Sequence, residues 1–131
     1  MSVIVRDDGF HSDDWTEAFV EPASNAASID LGPDADLAAL PALDGVKAIR
    51  IAFPSFSDGR GFTLARRLRD AGFQGRLRAF GHVIADQYAM ARRSGFDEVE
   101  ISDDLAARQP EDQWKARANW RAHDYQSRLR A

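Results

Sequence analysis

Short apolar runs alternate with amphipathic stretches through the middle of the chain. Runs rich in apolar and β-branched residues predict strands over 26–31, 46–53, 76–80 and 97–101. Apolar positions at helical spacing predict helices over 34–43, 61–71 and 83–94. Pro54 ends the clearest strand, and Gly72 and Gly95 end the last two helices. Strands separated by helices of this length favour right-handed crossovers, so we expect an α/β fold with about four mostly parallel strands and flanking helices.

The two ends of the chain have different patterns. Residues 1–25 are mainly polar and predict a loosely structured acidic arm that packs on the domain through its aromatic residues. After Pro110, one apolar stripe predicts a long C-terminal helix over 110–131, formed by Trp114, Ala118, Ala122, Tyr125 and Leu129. The expected organisation is therefore an arm (1–25), an α/β domain (26–109) and a C-terminal helix packed on that domain (110–131).

Length and composition exclude several classes of protein. The 131 residues suit one domain. No apolar run reaches the roughly 18 residues that cross a bilayer, and the acidic start does not fit a signal peptide. We therefore expect a cytoplasmic protein with no membrane contact. The chain has no cysteine, which excludes a disulfide, a CxxC redox pair and thiolate ligands for an iron–sulfur cluster.

Charge is unevenly distributed along the chain. Residues 1–40 contain nine acids and one base, whereas residues 41–131 contain sixteen bases and twelve acids. The basic excess attracts an anion or an acidic partner, or the acidic front simply neutralises the basic middle; the sequence leaves both interpretations open. A pI near 5.3 and the lack of a recognition motif argue against nucleic-acid binding.

Candidate chemistry lies where the predicted strands end, because ligands of open parallel sheets bind beyond the carboxyl ends of the strands. After the strand at 46–53, Arg60 stands between Gly59 and Gly61 at a helix start, an arrangement suited to an oxyanion. Asp58 is either a catalytic carboxylate or a helix cap. Arg78 either reaches the same mouth, completing an anion site with these residues, or extends to water.

A second strand end offers an acid–base pair. His82 and Asp86 lie one helical turn apart, so the carboxylate is placed to orient the imidazole as a general base; the alternative is a structural histidine. The three histidines are too dispersed for a metal motif. No dinucleotide fingerprint or phosphate loop is present, so neither a metal nor a cofactor is predicted.

Several motifs of residues 45–101 together resemble one bacterial family. They are Phe-Pro-Ser-Phe-Ser-Asp-Gly-Arg-Gly at 53–61, Ala-Arg at 65–66, Leu-Arg at 68–69, Leu-Arg-Ala at 77–79, Gly-His-Val at 81–83, Asp-Gln at 86–87 and Gly-Phe-Asp at 95–97. This pattern resembles the domain of unknown function 934, whose members are described as oxidoreductases of sulfite reduction. The chain departs from that pattern at His82, where the family has Asp, and at Ser94, where some members have Cys.

The resemblance implies an accessory protein of assimilatory sulfate and sulfite reduction that acts with sulfite reductase components. Arg66 and Arg67, with Trp120 off the apolar stripe, are the expected partner-binding residues, since arginine and tryptophan are common at interface hot spots. The alternative is a small enzyme or ligand-binding α/β domain that takes an oxyanion such as sulfite or sulfate. A third hypothesis, that the protein is an oxidoreductase with a noncovalent cofactor, follows from the family description alone.

Overall fold

The structure, a computed structural model, describes residues 2–23, 26–40 and 43–120 and contains a mixed sheet. Its strands within those residues are β1 (Ser2–Arg6), β2 (Gly9–His11), β3 (Ser28–Leu31), β4 (Ala48–Phe53), β5 (Arg76–Gly81) and β6 (Glu98–Ser102). They lie in the order β2-β1-β6-β5-β4-β3. Strands β3 to β6 pair in parallel, and β1 pairs antiparallel with both β6 and β2. The sheet is therefore mostly parallel with an antiparallel edge.

The helices connect the parallel strands or follow the last of them. They are α1 (Arg60–Asp70), α2 (Tyr88–Ser94), α3 (Asp103–Arg108) and α4 (Glu111–Lys115), with short 3-10 turns at Leu37–Ala39 and Ala85–Gln87. No helix among the described residues is long and apolar enough to cross a membrane.

One face of the sheet forms the apolar core. Alternate residues of β4 (Ile49, Ile51 and Phe53) are buried on this face. They belong to one buried cluster with Leu64 and Leu68 of α1, and the same cluster includes the inward-facing residues of the neighbouring strands. The period-2 burial of the strands and the helical spacing of α1 therefore meet in a single core.

The predicted parallel strands and the α1 helix are confirmed. The runs at 26–31, 46–53, 76–80 and 97–101 correspond to β3, β4, β5 and β6, and the helix at 61–71 corresponds to α1. Gly72 and Gly95 follow their helices with φ of 101° and 116°, values that favour glycine. The helix expected over 83–94 is shorter: a 3-10 turn precedes α2, and the Gln87 side chain accepts the Ile84 N–H at 3.0 Å.

The prediction of a helix over 34–43 is wrong for the described part of that range. Only Leu37–Ala39 is helical, as one 3-10 turn in which the Ala38 N–H donates to the Asp36 carboxylate at 3.1 Å. Leu40 is already extended, with ψ of 146°. The following residue is Pro41, and the residue before a proline is disfavoured in the α region.

The predictions for the two ends also need correction. Residues 1–25 are not wholly a loose arm, because β1 and β2 belong to the sheet and β1 pairs with β6. The predicted helix over 110–131 ends at Lys115, and Ala118 lies beyond its end. Trp114 of the expected stripe is buried against Tyr88, at a ring separation of 6.1 Å. The stripe residues Ala122, Tyr125 and Leu129 fall outside the described residues.

The other face of the sheet carries charged side chains beneath residues 12–20, which we call the strap. Asp13 of the strap pairs with Arg78 at 3.0 Å, and Asp14 pairs with Arg76 at 3.0 Å. Asp14 also pairs with Arg6 of β1 at 2.6 Å. These pairs support the interpretation that the acidic front of the chain neutralises part of its basic middle.

The ion pairs of Asp14 predict a pH-dependent contribution to stability. Burial alone opposes ionisation, but hydrogen bonds from Arg76 and Arg6 outweigh it and lower the pKa of Asp14 to about 2. A carboxyl group with a lowered pKa in the folded state stabilises that state above the ordinary pKa of the group, and loses this effect as pH falls through the folded pKa. The free energy of unfolding of Asp14→Asn should therefore lie below that of the wild type by a constant amount above about pH 5. This difference should shrink between about pH 4 and 2.

Urea unfolding of both proteins across this pH range is the measurement. Asp44→Asn is the control, because Asp44 is exposed and has no ion pair within the part of the chain that the structure describes. A deficit for Asp14→Asn that does not change with pH would contradict the assignment.

Candidate functional site

A cavity of about 500 Å³ lies at the carboxyl ends of β4, β5 and β6, where a parallel sheet is expected to bind ligands. The chain reverses or turns at each of these ends, which leaves space between the loops and α3. Its walls are formed by Ser2, Ala52, Phe53, Pro54, Phe56, Phe80, Gly81, His82, Ser102, Leu105 and Arg108. The predicted location of the site therefore coincides with an actual cavity, although most of its lining differs from the predicted residues.

Aromatic side chains give the cavity its character. Phe53 is nearly buried at the end of β4, whereas Phe56 and Phe80 are 43% and 37% exposed. The guanidinium of Arg50 lies 4.5 Å from the centre of the Phe80 ring and fixes one side of that ring. Two large, partly exposed aromatic rings at one concave site indicate a surface for an apolar or aromatic group.

His82 is held at the rim of this cavity by the end of β4. Its backbone N–H donates to the Phe53 carbonyl at 2.9 Å, and its Nδ1 lies 3.2 Å from the same oxygen. The Phe56 ring meets the imidazole edge to face at a centroid separation of 5.1 Å. With a proton on Nδ1, the imidazole donates to Phe53 and keeps Nε2 as a hydrogen-bond acceptor.

Gly81 makes this placement of His82 possible. Its φ is 112°, and a Cβ at this position would come within 2.8 Å of the Phe53 carbonyl oxygen. Only glycine adopts this conformation at so close an approach without strain. The turn after β5 therefore brings His82 across to the end of β4.

The predicted pairing of His82 with Asp86 is wrong. Asp86 is exposed, and its carboxylate accepts a hydrogen bond from Arg117 at 2.7 Å. Because the 3-10 turn at Ala85–Gln87 replaces the first turn of the expected helix, the two side chains do not share a helix face. No group of three or more His, Asp or Glu among the described residues is arranged to hold a metal ion.

The four predicted anion-binding residues do not form a single site. Arg60 and Asp58 pair with each other through two side-chain hydrogen bonds of 3.0 and 2.7 Å. The hydrogen bond from Arg60 lowers the pKa of Asp58. Gly61 is buried, and a Cβ there would lie 2.5 Å from the Phe53 ring, so this glycine serves packing. Gly59 precedes α1 as its N-cap residue.

The prediction that Arg78 reaches the same mouth is wrong. Its side chain is fully buried on the charged face of the sheet. The guanidinium donates to Glu98 at 2.6 Å and to Glu100 at 2.9 Å, and it also pairs with Asp13. Burial and these carboxylates leave Arg78 no donor for a ligand at the strand ends. The burial opposes its charge, but the carboxylates raise its pKa above the usual value.

The predicted partner-binding residues have different environments. Arg66 and Arg67 are exposed on α1 and form no ion pair with any residue that the structure describes. Trp120 is half-buried against this chain: its ring lies 4.7 Å from the Arg92 guanidinium, and its Nε1–H donates to Asp7 at 3.3 Å. Of the three, the two arginines are placed most openly for a partner.

Sequence reasoning missed Phe56, Phe80 and Arg108 as cavity residues. Phe80 occupies the charged-face register of β5, two residues after Arg78, and an aromatic residue in that register is the signal that was available. Arg108 reaches the cavity from α3, where it pairs with Asp104. Its position depends on the packing of α3 beside β6, which no local pattern specifies.

A comparison with protein families matches most of the chain to one family. A family described as bacterial protein of unknown function (DUF934) matches residues 28–131. The matched range includes β3 to β6 and the cavity residues other than Ser2, whereas β1, β2 and the strap precede it. Searches of curated proteins and of solved structures gave no match.

The contrast between Arg78 and Arg60 predicts that removing the first costs much stability and removing the second costs little. Arg78→Met leaves Glu98 and Glu100 buried without their central partner and should lower the free energy of unfolding by about 3–5 kcal/mol. Arg60→Ala removes an exposed pair and should change the free energy of unfolding far less. Chemical denaturation monitored by circular dichroism measures both. Similar losses for the two variants would show that burial does not distinguish them.

Proposed function

Since this chain belongs to the bacterial protein family of unknown function DUF934, we propose that it is an accessory binding protein of assimilatory sulfite reduction that takes a small organic ligand into the cavity at its strand ends. The observation that carries the binding role is the cavity itself. Its volume lies within the range of about 300–1,000 Å³ that is usual for small-molecule sites, and its walls combine aromatic rings with a few polar groups.

The chemistry of the walls suits a ligand with two parts. Phe53, Phe56 and Phe80 offer contact to a flat apolar portion. His82 at the rim and Arg108 at the wall offer hydrogen bonds to an anionic or polar portion, since the imidazole retains a free nitrogen and the Arg108 side chain is 70% exposed. An oxyanion such as sulfite or sulfate meets only the second of these features. It is therefore the weaker candidate when considered as a whole ligand.

The connection to sulfite reduction comes from the family resemblance of residues 45–101. This resemblance supports a role beside the sulfite reductase system. The cavity supports the idea that the protein performs this role by binding a ligand. A general-base role for His82 receives less support, because Asp86 pairs with Arg117 instead of the imidazole. Binding rather than catalysis is therefore the function that we propose.

Anilinonaphthalene sulfonate, a fluorescent probe with a flat apolar part and an anionic group, tests the cavity. We expect its fluorescence to rise with saturable binding to the wild-type protein. Phe56→Ala should weaken this binding about tenfold, the loss of about 1.4 kcal/mol of aromatic contact. Met90→Ala is the matched control, because Met90 is 53% exposed and lies outside the cavity.

The two possible outcomes for the ligand class are distinguishable in the same assay. Displacement of the probe by millimolar sulfite would favour the simple oxyanion, whereas displacement only by aromatic acids would favour the two-part ligand. Equal probe affinity in the wild type, Phe56→Ala and His82→Ala would exclude the cavity as the site.

A second candidate function is electrostatic docking to a sulfite reductase component. It is favoured by Arg66 and Arg67, adjacent exposed cations on α1 without an ion pair in the described part of the chain. Two such cations attract an acidic surface over a distance of about 10 Å at 0.1 M ionic strength. This role and ligand binding in the cavity are compatible, because α1 carries neither His82 nor Phe56.

Co-purification from the native host tests the docking role. Sulfite reductase components should be retained at low salt, released at high salt and lost when Arg66→Glu and Arg67→Glu are combined. Lys115→Glu, a reversal of an exposed cation on α4, is the control for a general charge effect. Retention by the double variant, together with its unchanged growth on sulfate, would contradict docking through α1.

A further inference from the structure

The charged face of the sheet is organised around four arginines that come from β1, β4 and β5. Its sheet-borne charges are Arg6, Arg50, Arg76 and Arg78 with Asp30, Glu98 and Glu100. Arg78 lies between the two glutamates of β6, and Arg50 bridges Asp30 of β3 and Glu100. Four cations against three carboxylates leave this face with one positive charge before the strap is added.

The strap complements this face in both charge and shape. Asp13 and Asp14 supply carboxylates to Arg78, Arg76 and Arg6. The Trp15 ring lies 4.9 Å from the Arg76 guanidinium, and its Nε1–H donates to Ser28 at 2.8 Å. The Phe19 ring lies 4.6 Å from the guanidinium of Arg50 and 5.3 Å from that of Arg78. Two acids and two aromatic residues thus engage every arginine of the face.

The strap is attached by side chains alone until its last residue. No backbone group of residues 12–19 forms a hydrogen bond with the backbone of the sheet within the described part of the chain. Val20 is the first to do so, by bridging Ile29 of β3. The strap crosses from β2 to β3, five strand spacings or roughly 24 Å, with nine residues that reach at most roughly 30 Å. It is therefore an extended segment with exposed backbone, the kind of element that opens locally.

We propose that the arginine-bearing face of the sheet is a recognition surface for an acidic peptide segment with aromatic residues, and that the strap is the copy of this segment that the chain itself supplies. A partner protein with the spacing Asp-Asp-Trp-x-x-x-Phe displaces the strap and makes the same ion pairs and cation–π contacts. Three of the arginines belong to the residues that match the family, at positions 50, 76 and 78, whereas the strap precedes the match. Most of the surface therefore lies within the matched residues, whereas its cover and Arg6 lie outside them.

A spin label tests displacement in the otherwise unchanged protein. The chain has no cysteine, so Thr16→Cys provides one labelling site at an exposed position of the strap. A synthetic peptide of residues 12–20 at millimolar concentration should convert the label from an immobilised to a mobile spectrum. The same peptide with both aspartates replaced by asparagine should leave the spectrum unchanged, because it lacks the charges that meet Arg76 and Arg78.

Peptide affinity supplies the second measurement. In the full chain with Trp15→Ala and Phe19→Ala, the strap competes less, so a fluorescein-labelled peptide of residues 12–20 should bind at least about tenfold more tightly than to wild type. Arg76→Ala in that background should reduce the affinity again. This side chain is 28% exposed, at the rim of the face, so its removal tests recognition without emptying the buried network.

Two results would overturn the proposal. One is an immobile label at every peptide concentration together with no peptide binding by the Trp15→Ala, Phe19→Ala double variant. This result counts if the circular dichroism of the double variant is that of the wild type. The other is equal binding of a scrambled peptide with the same composition, which would reduce the effect to non-specific charge attraction. If the double variant does not fold, the spin-label result alone decides. The outcome of the anilinonaphthalene sulfonate assay in the strand-end cavity has no bearing on this proposal.

Discussion

A fully buried guanidinium, that of Arg78, determines how the charged side of this molecule is built. A cation removed from water is costly unless carboxylates accept from its donors, and Glu98, Glu100 and Asp13 accept four hydrogen bonds from it here. Two of these acids lie on the adjacent strand and the third lies on the strap, so burial of Arg78 requires both the register of β5 with β6 and the closure of the strap. The sheet consequently has an apolar face under the helices and an ionic face under an extended segment.

This division also accounts for the position of the cavity. The core residues of β4 and β5 point toward α1 and the parts of the chain packed beside it, while Phe80 points to the ionic face beside Arg50. At the strand ends the two sides meet, and Phe53, from the core side, and Phe80, from the other, line the same space. An aromatic cavity between a dry core and an ionic network offers both apolar contact and polar groups, a combination that suits small organic ligands.

The predictability of each element follows the range of the interactions that form it. Strand β4 was evident because its β-branched residues and Pro54 act locally, and the strand-end location of the cavity followed from parallel topology. Strand β1 was missed, since Val3–Val5 is a brief apolar run whose partner, β6, lies about a hundred residues away. The role of Arg78 was misjudged because no local signal tells which face of β5 the strap will cover. For Arg60 the interaction that matters is local. Its guanidinium pairs with Asp58, only two residues away, and not with a ligand as the sequence analysis expected.

The bridge between Val20 and Ile29 has a consequence for the behaviour of the protein in concentrated solution. Strand β3 is an outer strand of the sheet, and an outer strand with free N–H and C=O groups is a template for pairing with another chain. Val20 donates to Ser28 and accepts from Asp30, so it occupies the hydrogen-bonding positions on this side of β3. The end of the strap therefore shields the sheet from edge-to-edge aggregation, and a chain from which residues 12–20 are deleted would lose both its ionic cover and this protection.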